Sequence, residues 1–263
     1  MTSDDYLQAR ETARRIASRR EEPLFYREQA EARTYSRHCF TESEVVDACL
    51  SLLRAESPSY GHGMSHAEKV AVDAGAIVFV ELSGKYSEKE LKRLITLAQL
   101  AGLLHDIERS LPDHAQRGAK RATVILKRLN LPKKDICIVA KAISNHEAFK
   151  PSEPLDDSEA RLVSDALYDA DKFRWGPDNF TEMLWDMLSL RPIPMPLLLE
   201  RFLPGLKAMQ KIRDTFRSET GKTYGPDFID RGIDIGRELY EELAASESKG
   251  AKGLGNQAKQ NNG

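Results

Sequence analysis

"LAQLAGLLHDIERS", residues 97–110, is almost wholly apolar through Leu104 and then turns abruptly to His105-Asp106. Leu91, Leu94, Ile95, Ala98 and Gly102 recur at spacings of three and four, which describes one face of a helix. Continuing by three and four from Gly102 reaches His105 and Asp106, so an imidazole and a carboxylate end an oily stripe. Side chains on a helix lean toward its N-terminus, so both groups are expected to hang over Gly102, where no side chain fills the space.

The same periodicity runs through nearly the whole chain. Strand-like alternation is absent, and helices are predicted near 3–20, 24–36, 41–55, 65–82, 87–108, 112–129, 133–148, 158–173, 177–190, 196–219 and 226–246. Breaks fall at "SPSYGHG", "SGKYS", "LNLPKK", "FKPSEPLDD", "RPIPMP" and "TGKTYGP", each carrying Gly, Pro or Ser. An all-α fold is therefore expected. At 263 residues, 41% apolar and 30% charged, the chain can bury a sizeable core. A net charge of −2 offers no global attraction to nucleic acid or an acidic membrane. No uncharged run approaches the roughly 20 residues of a membrane span, and "MTSDDYLQARETARR" has no apolar core of a secretory signal. Cys39, Cys49 and Cys137 are scattered, which reads as reduced thiols and a cytoplasmic protein. The basic patch "ARRIASRREE" reads as a solvated helix face.

An isolated His-Asp pair says little, so the other ionisable groups decide. "SHAE" at 65–68 reads as a capping box with His66 in the first helical turn, where the dipole favours a neutral imidazole. His66 shares a face with Val70, Ala74 and Ile77. His146 extends the apolar line Ile136, Val139, Ala140, Ile143. His114 edges the face of Gly118, Ala122 and Ile125. In "LVSDALYDADKF", Asp171 is in phase with Ser164 and Leu167, whereas Asp169 shares a face with Leu162 and Ala166, with Asp165 on that flank. Buried charges are costly unless paired or metal-bound. Imidazoles mixed with carboxylates on several inward faces suit a divalent transition metal: Mn, Fe, Co, Ni or Zn.

The order His66 … His105-Asp106 … Asp171 resembles the H…HD…D signature of the HD superfamily of metal-dependent phosphohydrolases, over roughly residues 60–180. "GMSHAEKV" and "LLHDI" look like the family's first two metal-binding segments. "HAQRGAKRATVIL" and "AISNHE" look like segments carrying extra histidines in two-metal members, and "DADKF" is similar to the segment supplying the last ligand. The resemblance implies an HD-domain helical bundle with additional N- and C-terminal helices. Accessory helices would cover 1–58, the metal-binding domain 59–190, C-terminal helices packing on the core 191–246, and a disordered tail 247–263.

It also implies that His66, His105, Asp106 and Asp171 hold one metal, with Asp106 bridging to a second site completed by His114 and His146. Many two-metal members have histidine where this chain has Asn145. Residues 107–109 are Ile-Glu-Arg in place of the family's x-G-K, so Arg109 stands in for the lysine. The implied activity is hydrolysis of a phosphoester or phosphoanhydride on a small phosphorylated substrate, a nucleotide above all, by metal-activated water. Asp106, Glu108, Arg109, Glu147 and Lys172 are the catalytic candidates. Glu108, Glu147 or Asp169 would orient a water, and Arg109, Lys172 or Arg174 would clamp phosphate. His62 reads as an exposed loop residue or a proton donor. No membrane or specific nucleic-acid partner is expected, and a homodimer is compatible with the reading. Two alternatives stay open, a di-iron oxygenase of the same ligand order and a non-catalytic nucleotide-sensing module.

Overall fold

The computed structural model describes residues 3–56, 61–84 and 86–260, with side chains for 5–55, 63–84 and 86–248. The described residues form α-helices and one π-helical turn, with no strand. The helices are α1 (Ser3–Ala17), α2 (Leu24–Glu28), α3 (Ala30–Glu42), α4 (Glu44–Glu56), α5 (Gly61–Leu82), α6 (Glu88–Leu104), α7 (His114–Arg128), α8 (Lys133–Ser144), α9 (Ser158–Phe173), α10 (Leu184–Leu190), α11 (Met195–Ile212) and α12 (Glu219–Gln260). The π-helical turn (Asn179–Met183) leads into α10. The all-α expectation holds, and none of these helices is long and apolar enough to cross a membrane.

Boundaries differ where local hydrogen bonds were not legible. The break before α4 falls at Ser43, whose Oγ accepts from Val46 N–H, and not at residues 37–40. Helix α5 already begins at Gly61, so Ser65 lies inside it and caps nothing. The capping box belongs instead to α6, where Ser87 and Glu90 satisfy each other's backbone N–H groups. Helix α8 stops at Ser144, because Asn145 N–H and His146 N–H turn back to the carbonyls of Ala142 and Ile143. Helix α12 starts at Glu219 and carries Pro226 within it; Ser218 Oγ accepts from Gly221 N–H at its start. Its backbone continues to Gln260, through the stretch expected to be disordered, whose side chains lie outside the described residues from 249 on.

The chain divides into two compact units, Glu22–Arg174 with Asp214–Asp227, and Met1–Glu21 with Trp175–Arg213 and Phe228–Gly263. This differs from the expected segments, since α2 to α4 belong to the larger unit and α1 groups with the later helices. The expected boundary at 58/59 lies outside the described residues. In the smaller unit, α1 packs on the π-helical turn and α10, and Tyr6 OH donates to Ile193 O at 2.6 Å.

In the larger unit, α5 and α6 form the central pair. Helix α9 packs on both, α8 lies on α6 and α9, α7 on α8, and α3 on α5 and α6. Helix α5 is apolar nearly all round, with Val70, Ala71, Ala74, Ile77 and Val78 buried, as befits a rod surrounded by others. Its one buried charge, Asp73, is fully partnered. Arg174 at the end of α9 and Tyr26 OH (2.7 Å) bond Asp73 Oδ2, and Arg33 Nε donates to Oδ1 at 3.2 Å. The pair Asp73–Arg174 pins the end of α9 to α5.

Gly102 is where α5 and α6 touch. A Cβ there would stand 2.6 Å from Ala71 Cα and 2.7 Å from Ala71 N. The missing side chain therefore makes room for the α5 backbone, not for a ligand as the helix phase suggested. Gly102→Ala should force the helices apart and lower the unfolding free energy by about 1–3 kcal/mol. Gly205→Ala in α11, where a Cβ meets nothing within 4 Å, should raise it by about 0.5–1 kcal/mol. Urea unfolding of the two variants checks both signs.

Candidate metal centre

The close α5–α6 contact brings His66, five residues into α5, beside His105 at the C-terminal end of α6. Their Nε2 atoms lie 3.3 Å apart. Asp171 Oδ1, from α9, lies 3.4 Å from His66 Nε2 and 3.6 Å from His105 Nε2. Asp106 follows His105 and divides its two oxygens. Its Oδ2 is 3.4 Å from His105 Nε2 and 4.0 Å from His66 Nε2. Its Oδ1 is 3.7 Å from His114 Nε2 and 3.6 Å from His146 Nε2. Five helices or their ends thus converge on two groups, His66–His105–Asp171 and Asp106–His114–His146, each able to hold a metal ion.

Three observations test that fit. Donors about 2.1 Å from a shared ion stand about 3.0 Å apart at octahedral corners and about 3.4 Å apart at tetrahedral ones. The spacings here cluster near the second figure. Asp106 Oδ1 is also buried and has no hydrogen-bond partner, a costly state that a cation would relieve. Finally, the histidines are oriented for it. A carbonyl can only accept, so His105 Nδ1–H donates to Gly102 O and His146 Nδ1–H to Ile143 O, each at 2.7 Å. Both rings therefore present Nε2 to the cluster.

Charge in the cluster is set by competition with burial. Burial resists ionisation of Asp106, yet the His105 charge first, and then the nearby His146 imidazole and Arg109, hold it well below the usual carboxylate range. Asp171 is likewise held low against its burial, by Lys172 first and then His105 and His66. Burial pushes His66 down, so its neutrality comes from the core and not from a helix N-terminus. Burial and the neighbouring His146 push His114 down. His105 goes the other way, to about 10, because Asp106 and Asp171 outweigh its burial.

The remaining candidates sort by contact. Lys172 is buried and donates to Asp171 Oδ2 (2.5 Å) and His146 O (3.2 Å), so it holds two parts of the cluster and is no phosphate clamp. Arg174 is committed to Asp73. Glu147 Oε1 sits 3.3 Å from His114 Nδ1. Arg109 contacts Asp106 and keeps an exposed side chain. Glu108 joins none of the cluster's hydrogen bonds or ion pairs among the described residues. His62's side chain lies outside the described residues. Asn145 Nδ2 donates to Glu153 O and its Oδ1 accepts from Glu153 N–H, both at 3.0 Å, so it braces the loop after α8.

Asp169 points away from the cluster. It accepts from Arg217 N–H and Ser218 N–H at 2.8 Å and from Ser218 OH at 2.7 Å, ahead of α12. Burial nevertheless pushes its carboxyl up to about 7. Asp171, not Asp169, therefore faces the histidines. The missed signal was Ser218 as the start of a helix, hidden by Pro226.

Compared with protein-family models, curated proteins and solved structures, the chain matches none.

Asp169→Ala should strand three donors and lower stability by about 2 kcal/mol while leaving metal uptake unchanged, whereas Asp171→Ala should abolish uptake. Thermal unfolding and metal analysis separate the two. His105, raised to about 10, is protonated through neutral pH, so an entering cation must displace one proton, while His66 and His114 are pushed toward the neutral form. Cation affinity should rise about tenfold per pH unit between about pH 6 and 9, with one proton released. Calorimetry in two buffers of different ionisation enthalpy measures that proton.

Proposed function

We propose that this chain is a metal-dependent phosphohydrolase of the HD superfamily, cleaving a phosphoester or phosphoanhydride of a small substrate, a nucleotide first. The supporting observation is the division of Asp106, whose two oxygens each meet a different pair of imidazoles at ligand spacing. His66, His105, Asp106 and Asp171 would hold one divalent transition metal, and Asp106, His114 and His146 a second. Such ions supply an acidified water and neutralise the oxygens of a phosphoryl group under attack.

The chain's own residues do the rest. Lys172 occupies Asp171 Oδ2 and leaves Oδ1 for the cluster. Glu147 stands beside the His114 ring, and the carbonyls of Gly102 and Ile143 fix His105 and His146. Asp169 is spent on the approach to α12, which leaves Glu147, beside His114, as the carboxylate that would orient a water. Asp106, held well below the usual carboxylate range, would serve as a ligand to both ions. Arg109, charged and exposed beside Asp106, is the cation best placed to meet a phosphate at the rim.

The test is inorganic phosphate release from nucleoside tri-, di- and monophosphates by protein stripped and reloaded with Mn, Fe, Co, Ni or Zn, with metal content measured alongside. Wild type should turn over at least one substrate. His105→Ala and Asp106→Ala should lose metal and roughly 1000-fold or more in rate, and His114→Ala should keep one metal at reduced rate. Full activity of His105→Ala would end this reading. Oxygen uptake by the iron-loaded protein without phosphate release would replace it with an oxygenase.

A further inference from the structure

Two loops leave the helix ends that carry the cluster, 105–113 after α6 and 145–157 after α8. Helix α7, which follows the first loop, lies against the start of the second: His114 Nδ1 and Glu147 Oε1 are 3.3 Å apart, and Gln116 Nε2 donates to Ser144 O at 3.4 Å. Phe149 stands in the second loop, two residues past Glu147 and three past His146. Three Cα steps span at most about 11 Å, so its Cα lies within that distance of the His146 Cα.

Phe149 carries two costs at once. Its φ is +60°, in the left-handed region, and it is 66% exposed. The other non-glycine residues in that region are Asp113 and Asn130 among the described residues, types whose short polar side chains tolerate it. A phenylalanine has no such relief, and its ring faces water. One exposed apolar side chain alone would mean little. An aromatic ring on a strained backbone three residues past a histidine of the cluster is different, because strained backbone concentrates at functional sites. Leu111, 41% exposed, gives the first loop an outward apolar side chain as well.

We propose that Phe149 is the platform on which a planar heterocyclic base of the nucleotide stacks while its phosphate lies at the cluster. This rests on the hydrolase reading above and adds which part of the substrate the protein selects. A flat apolar ring accepts the face of a base without reading its edge, so the selection is for nucleotides over sugar phosphates and is weak among bases.

Binding of AMP, GMP, CMP and UMP is compared by calorimetry with binding of ribose 5-phosphate, with phosphate release followed in parallel. Wild type should bind at least one nucleotide about tenfold or more tighter than ribose 5-phosphate. Phe149→Trp should keep that preference, and Phe149→Ala should reduce it to within about twofold. Phe149→Gly should lose it equally while its melting temperature stays level or rises, since glycine relieves the φ of +60°. Equal affinities in wild type, a preference surviving in Phe149→Gly, or a melting temperature that falls along with the preference would each overturn the proposal. Equal binding and hydrolysis of nucleotide and sugar phosphate would sink it and leave the hydrolase standing. A base preference without phosphate release would support Phe149 and remove the hydrolase.

Discussion

The arrangement hangs on one buried carboxylate. Asp106 is almost fully enclosed, and its two oxygens face different pairs of imidazoles. Removing a carboxylate from water costs several kcal/mol unless nearby charge offsets it. His105 and Arg109 do so for Oδ2, while Oδ1 is left without a donor. Distant features of the fold act on this point. The absent side chain at Gly102 lets α5 close on α6 and delivers His66. The Asp73–Arg174 pair lies two turns along α5 from His66 and one turn along α9 from Asp171, so it holds those two residues in register.

Helix ends carry most of the donors, and this explains their orientation. The last carbonyls of a helix have no partner within it. His105 and His146, each just beyond a helix end, use such a carbonyl three residues back to lock the ring. That bond fixes which nitrogen faces the cluster. His114 opens α7 without that device, with Glu147 Oε1 3.3 Å from its Nδ1. The first group is accordingly the more buried, and His114 of the second lies nearest to solvent.

Periodicity made the helices legible, and helix phase brought out His66, His105, Asp106, His146 and Asp171 as inward groups. What it could not supply were hydrogen bonds across the fold. The α8 boundary depends on two backbone bonds at Asn145 and His146, and the start of α12 on Ser218 ahead of a misleading proline. Lys172 and Arg174 read as phosphate clamps because their types suit phosphate, yet both are buried against carboxylates. The choice between Asp169 and Asp171 needed the direction of α12's approach, which no spacing within α9 encodes. Gly102 was singled out for its lack of a side chain, but the neighbour that needs the space is a helix backbone.

Buried histidines more often serve as hydrogen-bonded core residues than as ligands, and that alternative makes its own demands. A hydrogen-bonded cluster draws its polar atoms to about 2.7–3.2 Å, as the His105 and His146 Nδ1 atoms do with their carbonyls. On the opposite side of the same rings, Nε2 stands 3.3–3.6 Å from the carboxylate oxygens and imidazole it faces. Each ring is thus closely bonded where it meets backbone and spaced where it meets the other donors. A core packed for its own hydrogen bonds would have shortened the second set and given Asp106 Oδ1 a donor. Spacing of that kind on both sides of one carboxylate suits a cation between the donors better than a bond between them.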